Sequence, residues 1–566
     1  MMKMTGARAV LECLKREGVD VVFGYPGGAI LPLYEEMYKD NFRHILTGHE
    51  QGAVHAADGY ARVTDRPGVC IATSGPGVCN MVTGIATANM DSIPMVIISG
   101  QVPTGLIGRD SFQEADISGI TSPITKHNYL VKNAASIPRV LKEAFYIAST
   151  GRPGPVLIDI AKDALEAEIY FQYPDKVHLP GYVVETTGQA YDIDRAVAMI
   201  QHSQKPVFLV GGGVILSETT KYLEDIVNTT KIPVVTTLMG KGAIPDSHEL
   251  HLGMGGMHGS YASNKAISGC DLLIALGARF DERLTSRADT FAPNAQIIHF
   301  EIDDVEIDKI IDIDLGIKGD LRWSLPIFAK KLKEGAFDYG AAFADWRHEV
   351  LAMKKSHPFA TPPRPGCISP QSIFAAVRDI TRDDDTVAIT DVGQHQMWAA
   401  QFFTTDEPKH FISSGGLGTM GFGLPAALGA KVACPEKTVV VFSGDGSILM
   451  NCQEFATLSE YGIDVNVIVL HNDTLGMIVQ LQDFFYNHHY SQCTLNKRKN
   501  LPMLAESLGV KGYAIEKQDD LIPVLKEAFA HKGPALVDIR ISPEERVYPT
   551  VPGGKALSDM ILGGDA

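Results

Sequence analysis

The fold is decided by residues 438–459, TVVVFSGDGSILMNCQEFATLS, which combine an apolar strand, a tight turn and a helix. The unbroken apolar run is typical of a strand that is buried on both faces of a parallel sheet. Gly444 and Gly446 flank Asp445 at the carboxyl end of this strand, which is the edge where α/β folds bind their ligands. Glycines allow a backbone to approach a phosphate, and the N-terminus of the following helix favours negative charge. The stretch therefore predicts an α/β fold with a phosphate site.

A second strand supplies a partner for Asp445. The run VNVIVL at 465–470 is followed by Asn472, which stands 27 residues after Asp445. A strand–helix–strand crossover has about this length, so both side chains are expected at one sheet edge. A carboxylate and an amide oxygen beside a diphosphate would suit octahedral Mg²⁺. Turn glycines with a solvated Asp explain GDG alone equally well, whereas Asn after a second strand makes the metal interpretation more specific. No Gly-Lys-Ser/Thr follows the glycines, which excludes a Walker-type P-loop.

Strand-like apolar runs alternate with helical patterns along the whole chain. With 566 residues the chain is too long for one hydrophobic core. Two irregular stretches rich in Pro and Gly, 170–190 and 356–369, divide it. We therefore predict an α/β protein with three doubly wound parallel-sheet domains. The predicted boundaries are 1–170, 190–345 and 366–550, with a terminal tail at 551–566.

One phrase of sequence occurs twice. VLKEAF precedes GPVLIDI at 140–160, and VLKEAF precedes GPALVDI at 524–539. Chance repetition of a common helix–strand ending is one explanation. Duplication of an entire α/β domain is the alternative that we favour, and it implies a cofactor gripped between two similar domains.

Composition restricts the class of partner and the compartment. A formal net charge of −17 argues against nucleic acid and anionic membranes, which both attract basic surfaces. The eight cysteines are scattered without a CxxC pair, a pattern that indicates free thiols in a reducing compartment. No apolar run approaches the ~18 residues of a membrane helix, and no targeting peptide is visible. These features predict a cytoplasmic enzyme.

The GDG turn followed by Asn resembles the thiamine-diphosphate signature. The resemblance implies a third metal ligand, the backbone carbonyl of Thr474. Such an enzyme also needs a carboxyl group against the cofactor's pyrimidine ring. HILTGHEQGAVHAADGYARV at 44–63 offers Glu50 between a short strand and a small-residue helix. An ordinary acidic residue at a helix start is the alternative interpretation of Glu50.

Longer phrases resemble the acetohydroxyacid synthase (acetolactate synthase) catalytic subunit over nearly the entire chain. They include YPGGAILPLYEEM (25–37), ATSGPGVCN (72–80), RFDER (279–283), QHQMW (394–398), GLGTMGFGLPAA (416–427) and VYPTVPGGKAL (547–557). The resemblance implies pyrimidine-binding, central FAD-binding and diphosphate-binding domains, closed by a C-terminal lid at 551–566. It implies thiamine diphosphate, Mg²⁺ and FAD as cofactors. It also implies the joining of pyruvate to a second 2-keto acid, in branched-chain amino-acid biosynthesis.

The resemblance assigns roles to individual residues of the thiamine site. Glu50 would activate the aminopyrimidine, and Met420 would support the bent cofactor unless it only fills the core. Asp445, Asn472 and Thr474 would bind Mg²⁺. The remaining contacts to the thiamine cofactor would come from Pro76, Asn80, Gln394, His395, Gly418, Gly444, Gly446 and Met477. The residues that would reach this site from a neighbouring subunit are Gly28, Phe112, Gln113 and Lys162. The resemblance therefore implies a homodimer or homotetramer with interfacial active sites. Whether a small regulatory subunit also binds is left open by the sequence.

The central segment would bind FAD in a structural role. The expected contacts are Arg152, Gly212, Gly213, Thr237, Leu238, Met257, His258, Gly277, Arg279, Asp281, Glu301 and Asp320. A run of three glycines alone suits any nucleotide, or merely a tight turn. Arg283 would bind the carboxylate of the second 2-keto acid bidentately. A salt bridge within Asp281–Arg283 is its alternative role.

One departure concerns the choice of acceptor. The family usually places Trp where this chain has Leu481, and that Trp favours 2-ketobutyrate over pyruvate. Arg is also common before Tyr490, where this chain has His489. We predict that carboligation is intact and that the preference for 2-ketobutyrate is weakened. A pyruvate oxidase, an FAD-independent catabolic acetolactate synthase and an inactive regulatory paralogue are the alternative functions.

Overall fold

The computed structural model describes residues 2–361, 364–495 and 499–563. Within these ranges the chain forms three six-stranded parallel sheets, each flanked by helices, and one small antiparallel pair. This architecture confirms the predicted α/β class with three doubly wound domains. We call the regions around the three sheets the first, second and third units.

The first unit is built on a sheet with the strand order β3-β2-β4-β5-β7-β6, while β1 pairs with β8 outside it. Its strands are β1 (Met2–Thr5), β2 (Val22–Gly24), β3 (His44–Leu46), β4 (Gly68–Ala72), β5 (Met95–Gln101), β6 (His127–Val131), β7 (Pro155–Ala161) and β8 (Glu168–Phe171). Its helices are α1 (Gly6–Arg16), α2 (Leu31–Asp40), α3 (Glu50–Val63), α4 (Pro76–Cys79), α5 (Val82–Asp91), α6 (Ile117–Thr121), α7 (Ile137–Ser149) and α8 (Lys162–Glu166).

The second unit has the strand order β11-β10-β9-β12-β13-β14. Its strands are β9 (Pro206–Val210), β10 (Val234–Thr236), β11 (His251–Met254), β12 (Leu272–Leu276), β13 (Gln296–Glu301) and β14 (Leu315–Lys318). Its helices are α9 (Ala190–His202), α10 (Gly212–Leu216), α11 (Thr220–Thr230), α12 (Tyr261–Gly269), α13 (Glu282–Thr285), α14 (Leu321–Lys333), α15 (Tyr339–Ala342) and α16 (Ala344–Ser356). The strand order reverses between β9 and β12, which opens a ligand crevice at their carboxyl ends.

The third unit has the strand order β16-β15-β17-β18-β20-β19. Its strands are β15 (Thr386–Thr390), β16 (Phe411–Ile412), β17 (Thr438–Gly444), β18 (Asn466–His471), β19 (Lys511–Ile515) and β20 (Ala535–Arg540). Its helices are α17 (Pro370–Ile380), α18 (Gln394–Phe402), α19 (Gly423–Ala433), α20 (Glu454–Tyr461), α21 (Gly476–Phe485), α22 (Leu501–Ser507) and α23 (Leu521–Ala530). This order repeats that of the first sheet strand for strand. The duplicated phrases form α7–β7 and α23–β20, in corresponding positions, as domain duplication predicts.

The first and third units are joined through a close crossing of α3 and α19. A Cβ on Gly59 would lie 2.0 Å from the Ala426 carbonyl oxygen, and one on Gly429 would lie 1.7 Å from that of Ala56. Only glycine permits such an approach of two backbones. Apolar residues of both helices belong to one continuous hydrophobic core, so the two units pack as a single body.

Beyond β20 the chain returns to the second unit. The Val551 amide donates to the Met257 carbonyl at 2.8 Å, and Thr550 pairs with Ile561 in both directions. Val551 and Leu557 are buried in the apolar core of the second unit. Of the predicted lid at 551–566, residues 564–566 lie outside the described part of the chain. Among the described helices, none combines the length and the apolar character needed to cross a bilayer.

Candidate functional site

A cavity of about 1070 Å³ opens where the carboxyl edges of the second and third sheets face each other. It brings together the predicted diphosphate, metal and flavin residues. From the third unit it is lined by Gln394, His395, Gly418, Met420, Gly444, Asp445, Gly446, Asn472, Thr474 and Met477. From the second unit it is lined by Gly212, Gly213, Thr237, Leu238, Met257, His258, Gly277, Arg279, Asp281, Arg283, Glu301 and Asp320, with Arg152 reaching in from the first unit.

The GDG turn and the following strand meet as the spacing predicts. β17 and β18 are adjacent and parallel, with Gly444 opposite Leu470. Their ends bring the Asn472 amide N–H to 3.4 Å from Asp445 Oδ1. Asn472 Oδ1 accepts from the backbone N–H and the hydroxyl of Thr474, each at 3.0 Å. The three residues predicted to bind the metal, Asp445, Asn472 and Thr474, therefore lie next to one another.

The electrostatics around Asp445 suit a cation. Asp445 Oδ2 is buried, and the Lys499 ammonium lies 2.6 Å from it. Burial works to raise the pKa of neighbouring Asp473, but hydrogen bonds from His471, Lys499 and Arg540 outweigh it and lower that pKa to about 2. Carboxylate oxygens with an amide oxygen are a donor set that fits Mg²⁺. Lys499 already supplies positive charge there, so a metal would share this acid cluster with it.

The wall beside the GDG turn can receive a diphosphate. A Cβ on Gly444 would lie 2.9 Å from His395 Nδ1, so glycine is required where α18 approaches the turn. His395 Nε2 is buried without a hydrogen-bond partner among the described residues. Burial lowers the pKa of His395 to about 3, so its ring is neutral at pH 7. Nε2 is therefore the ring atom of His395 that is free to contact a ligand on this wall of the cavity.

Asp391 supports this turn from behind and was missed from the sequence. Its carboxylate accepts from the Gly421 and Val392 amides at 2.8 and 2.9 Å and from the Ser447 hydroxyl at 2.9 Å. Burial raises the pKa of Asp391, against the effect of these hydrogen bonds. The signal that could have found it is the one that found Asp445: an acid at the end of an apolar strand.

The flavin half of the cavity lies at the reversal of strand order in the second sheet. A Cβ on Gly211 would lie 2.2 Å from the Gly277 carbonyl oxygen, and one on Gly213 would lie 2.8 Å from Gly277 Cα. This close backbone packing already requires glycines at these positions, so the glycines alone are explained by a tight turn and do not indicate a nucleotide. The fit to a dinucleotide rests instead on the crevice and on the cationic side chains of Arg152 and Arg279 in its wall.

Several acidic residues of the flavin prediction already have structural partners. The Asp281 carboxylate caps α13 through the Leu284 amide, and the Asp320 carboxylate caps α14 through the Arg322 amide. Glu301 Oε1 accepts from the Ile302 and Asp303 amides. Arg152 pairs with Glu306 at 2.9 Å. These residues line the cavity, and their roles toward a flavin stay predictions.

Arg283 and Leu481 lie on the open side of the same cavity. Arg283 pairs loosely with Glu282, at 3.6 Å, and both side chains are more than 60% exposed. The Arg283 guanidinium also donates to Met257 Sδ at 2.9 Å. Such an exposed ion pair contributes little, which leaves the guanidinium available to an anion. Leu481 is 41% exposed, so this apolar side chain faces open space at the cavity wall. Met420 also lines the cavity and lies outside the buried core.

The remaining predicted residues do not reach this cavity within one chain. Gly28, Glu50, Pro76, Asn80, Phe112, Gln113 and Lys162 lie on the first unit, away from its lining. Glu50 begins α3, where its Oε2 accepts from Asn80 Nδ2 at 3.0 Å on an exposed surface. The turn before it is held by the third unit, since the Gly48 amide donates to buried Glu454 at 3.1 Å. The residues predicted for one active site therefore lie in two separate places on a single chain.

Comparison with known proteins matches the three units of the chain to three known domains. Residues 4–120, 193–327 and 391–539 match the N-terminal TPP binding, central and C-terminal TPP binding domains of thiamine pyrophosphate enzymes. The chain is 46% identical to the acetolactate synthase of Mycobacterium bovis, over 99% of the chain and 92% of that protein. It is 45% identical to the acetolactate synthase large subunit of Corynebacterium glutamicum, over 99% and 90%.

An archaeal relative is equally similar. The chain is 46% identical to the probable acetolactate synthase large subunit of Methanocaldococcus jannaschii, over 99% of the chain and 95% of that protein. Acetolactate synthases of this family use thiamine diphosphate, with Mg²⁺ and FAD as typical companions. Full-length similarity of this degree, together with the three matched domains, leads to one conclusion: the chain belongs to the thiamine-diphosphate-dependent acetolactate synthase family, as a homologue of its large subunits.

Proposed function

We propose that the chain makes 2-acetolactate from two molecules of pyruvate, with the third unit of one copy and the first unit of another forming each active site. The observation that carries this arrangement is the separation of Glu50 from the cavity that Asp445 lines. Thiamine diphosphate, when bound, supplies the electron sink for decarboxylation. The chain's own residues would bind the cofactor, orient it and exchange a proton with its pyrimidine ring.

In the third unit, Asp445, Asn472 and the Thr474 carbonyl would hold Mg²⁺ against the diphosphate. The Gln394 backbone N–H and His395 would contact the phosphate oxygens, since both side-chain N–H groups of Gln394 already have partners. Met420, with Gly418, would line the thiazolium region. In the first unit, the Glu50 carboxyl would hydrogen-bond to the pyrimidine ring, while Pro76 and Asn80 line that ring. Apolar walls and the neutral His395 ring would exclude water from the reacting atoms.

A second copy of the chain completes the site in this proposal. The exposed Glu50–Asn80 pair supports it, as does Phe112, which is 87% exposed on the same unit. Gly28 is open, since a Cβ added to it would meet no atom within 4 Å. These residues, which the resemblance assigns to the active site, face solvent in a single chain. Such a surface fits an interface between two chains. We expect a homodimer as the smallest active form, and a homotetramer would contain the same pair.

Arg283 would bind the carboxylate of the acceptor 2-keto acid. Its exposed, loosely paired guanidinium supports this role, since a planar fork matches a carboxylate in two hydrogen bonds. Leu481 would face the acceptor's alkyl group, so 2-ketobutyrate is expected as an alternative acceptor without strong preference. The predicted boundaries at 1–170, 190–345 and 366–550, the cytoplasmic location and any small regulatory subunit belong to the same proposal.

Product analysis tests the proposal. Purified protein is given pyruvate, Mg²⁺ and thiamine diphosphate, with and without 2-ketobutyrate and FAD. We expect CO₂ and 2-acetolactate, and 2-aceto-2-hydroxybutyrate when 2-ketobutyrate is present. Oxygen consumption with acetate-level products would indicate a pyruvate oxidase instead. Absence of CO₂ release with all cofactors present would indicate an inactive paralogue.

A further inference from the structure

Gln480 is a buried side chain of α21, 2% exposed, to which the assignments above give no role. Its Oε1 accepts from the Val547 amide at 2.8 Å, and its Nε2 donates to the Val547 carbonyl at 3.2 Å. A side-chain amide that pairs with both backbone groups of one residue fixes the orientation of that residue as well as its position.

The same amide also contacts the predicted cofactor residues. Gln480 Oε1 accepts a second hydrogen bond from Gln394 Nε2 at 3.1 Å. Gln394 Nε2 donates in addition to the Glu545 carbonyl at 2.9 Å, and Gln394 Oε1 accepts from Asn472 Nδ2 at 3.4 Å. A buried path of polar contacts therefore runs from Asn472, beside Asp445, to the backbone at 545–547.

From Val547 the chain continues along the wall of the cavity. We call residues 547–561 the terminal segment. Val547 is fully buried, and Thr550, Val551, Pro552 and Gly553 line the cavity. The Val551 amide then attaches the segment to the second unit at Met257. The backbone pairing with Gln480 fixes the third-unit end of this segment.

We propose that Gln480 is a positioning residue: its amide fixes where the terminal segment begins, so that residues 550–553 close the cofactor cavity while Gln394 stays against Asn472. The inference rests on the proposed function, because it takes the cavity to be the cofactor site. Its chemistry is specific to an amide. A carboxylate would keep the acceptor for Val547 N–H but would place a second oxygen against the Val547 carbonyl.

The test uses the full-length protein with Gln480→Glu and Gln480→Met, and Gln482→Glu as the matched control. Gln482 lies on the same helix, but its amide donates to the Ser491 carbonyl and not to the terminal segment. Hydrogen exchange at peptides containing Val547 is measured by mass spectrometry without turnover. Thiamine diphosphate with Mg²⁺ is titrated by the fluorescence of Trp398, which lines the cavity.

We expect Val547 to exchange about tenfold faster or more in both Gln480 variants. Methionine removes the acceptor for the Val547 N–H, and in glutamate the second carboxylate oxygen repels the Val547 carbonyl, so this contact opens more often. The Kd for thiamine diphosphate should rise about tenfold, because residues 550–553 would close the cavity less well. The kcat for acetolactate at saturating cofactor should stay within about threefold, whereas a general loss of structure would lower it. Gln482→Glu should match the unsubstituted protein in all three measurements.

Unchanged exchange at Val547 in either variant would overturn the proposal, as would a lower kcat with unchanged cofactor affinity. Glu is close to Gln in length and volume, so Gln480→Glu decides the matter if Gln480→Met does not fold. The exchange measurement does not require catalysis. If the Glu50 assignment fails because Glu50→Gln turns over normally, faster exchange at Val547 still tests the role of Gln480 separately.

Discussion

Replacing Glu50 by Gln tests the division of the active site between two chains. The substitution keeps the size of the side chain and its acceptor for Asn80, which now donates at 3.0 Å. It removes the group that would exchange a proton with the pyrimidine. Positioned acid–base groups contribute about 10²–10⁴ in rate. At about 1.36 kcal/mol per factor of ten, this corresponds to roughly 3–5 kcal/mol of transition-state stabilisation.

The effect on stability should be much smaller. Loss of a negative charge at the start of α3 costs about 0.3–1 kcal/mol, and the hydrogen bond from Asn80 is kept. A rate loss of a hundredfold or more with a nearly unchanged thermal midpoint therefore measures chemistry. The assay is acetolactate formation at saturating thiamine diphosphate and Mg²⁺, with exposed Glu35→Gln on α2 as the control. A Glu50→Gln protein within threefold of the normal rate would refute the reasoning.

Three further predictions concern packing, specificity and pH. Gly429→Ala should destabilise the protein by about 1–3 kcal/mol or more, because its Cβ would lie 1.7 Å from the Ala56 carbonyl oxygen. The thermal midpoint of unfolding checks this prediction. Gly105→Ala, whose Cβ would meet no atom within 4 Å, should leave that midpoint unchanged. When pyruvate and 2-ketobutyrate compete as acceptors, the natural protein should show no strong preference for 2-ketobutyrate. Leu481→Trp should raise that preference about tenfold or more. A strong preference for 2-ketobutyrate in the natural protein would contradict this prediction. Burial lowers the pKa of His55 to about 3, so its contribution to folding stability is complete above pH ~6.5 and falls as pH drops toward 3. At pH 5 this residue should reduce the free energy of unfolding by roughly 2 kcal/mol relative to pH 7. His55→Gln should make the free energy of unfolding depend less on pH between pH 7 and 5.

The sequence predicted the third unit's site because local spacing determines it. Asp445 and Asn472 follow consecutive parallel strands, and such strands place their carboxyl ends at one edge. Glu50, at the start of α3, was predicted on other grounds: the cofactor's need for a carboxyl group and the resemblance to the family. The resemblance implied active sites between subunits, but no local pattern shows that one chain leaves Glu50 outside the cavity, since that depends on how whole units pack.

Other features depend on contacts between distant parts of the chain. Gln480 pairs with Val547, 67 residues away, and no periodicity indicates such a pair. Asp281 and Asp320 follow strand ends as ligand residues often do, yet their carboxylates cap helices. The type and position of a residue do not distinguish these two uses, because both require an acid beside free backbone amides.

The glycine contacts between α3 and α19 restrict where this enzyme can move. Two backbones that already touch cannot slide or hinge without breaking the core that both helices share. In the proposed homodimer, a cofactor as long as thiamine diphosphate must then enter and leave through movement of the terminal segment, of the second unit, or of the surface between the two copies. Solvent access to the cavity should therefore depend on assembly, and dilution that separates the copies should expose both halves of the site without unfolding either.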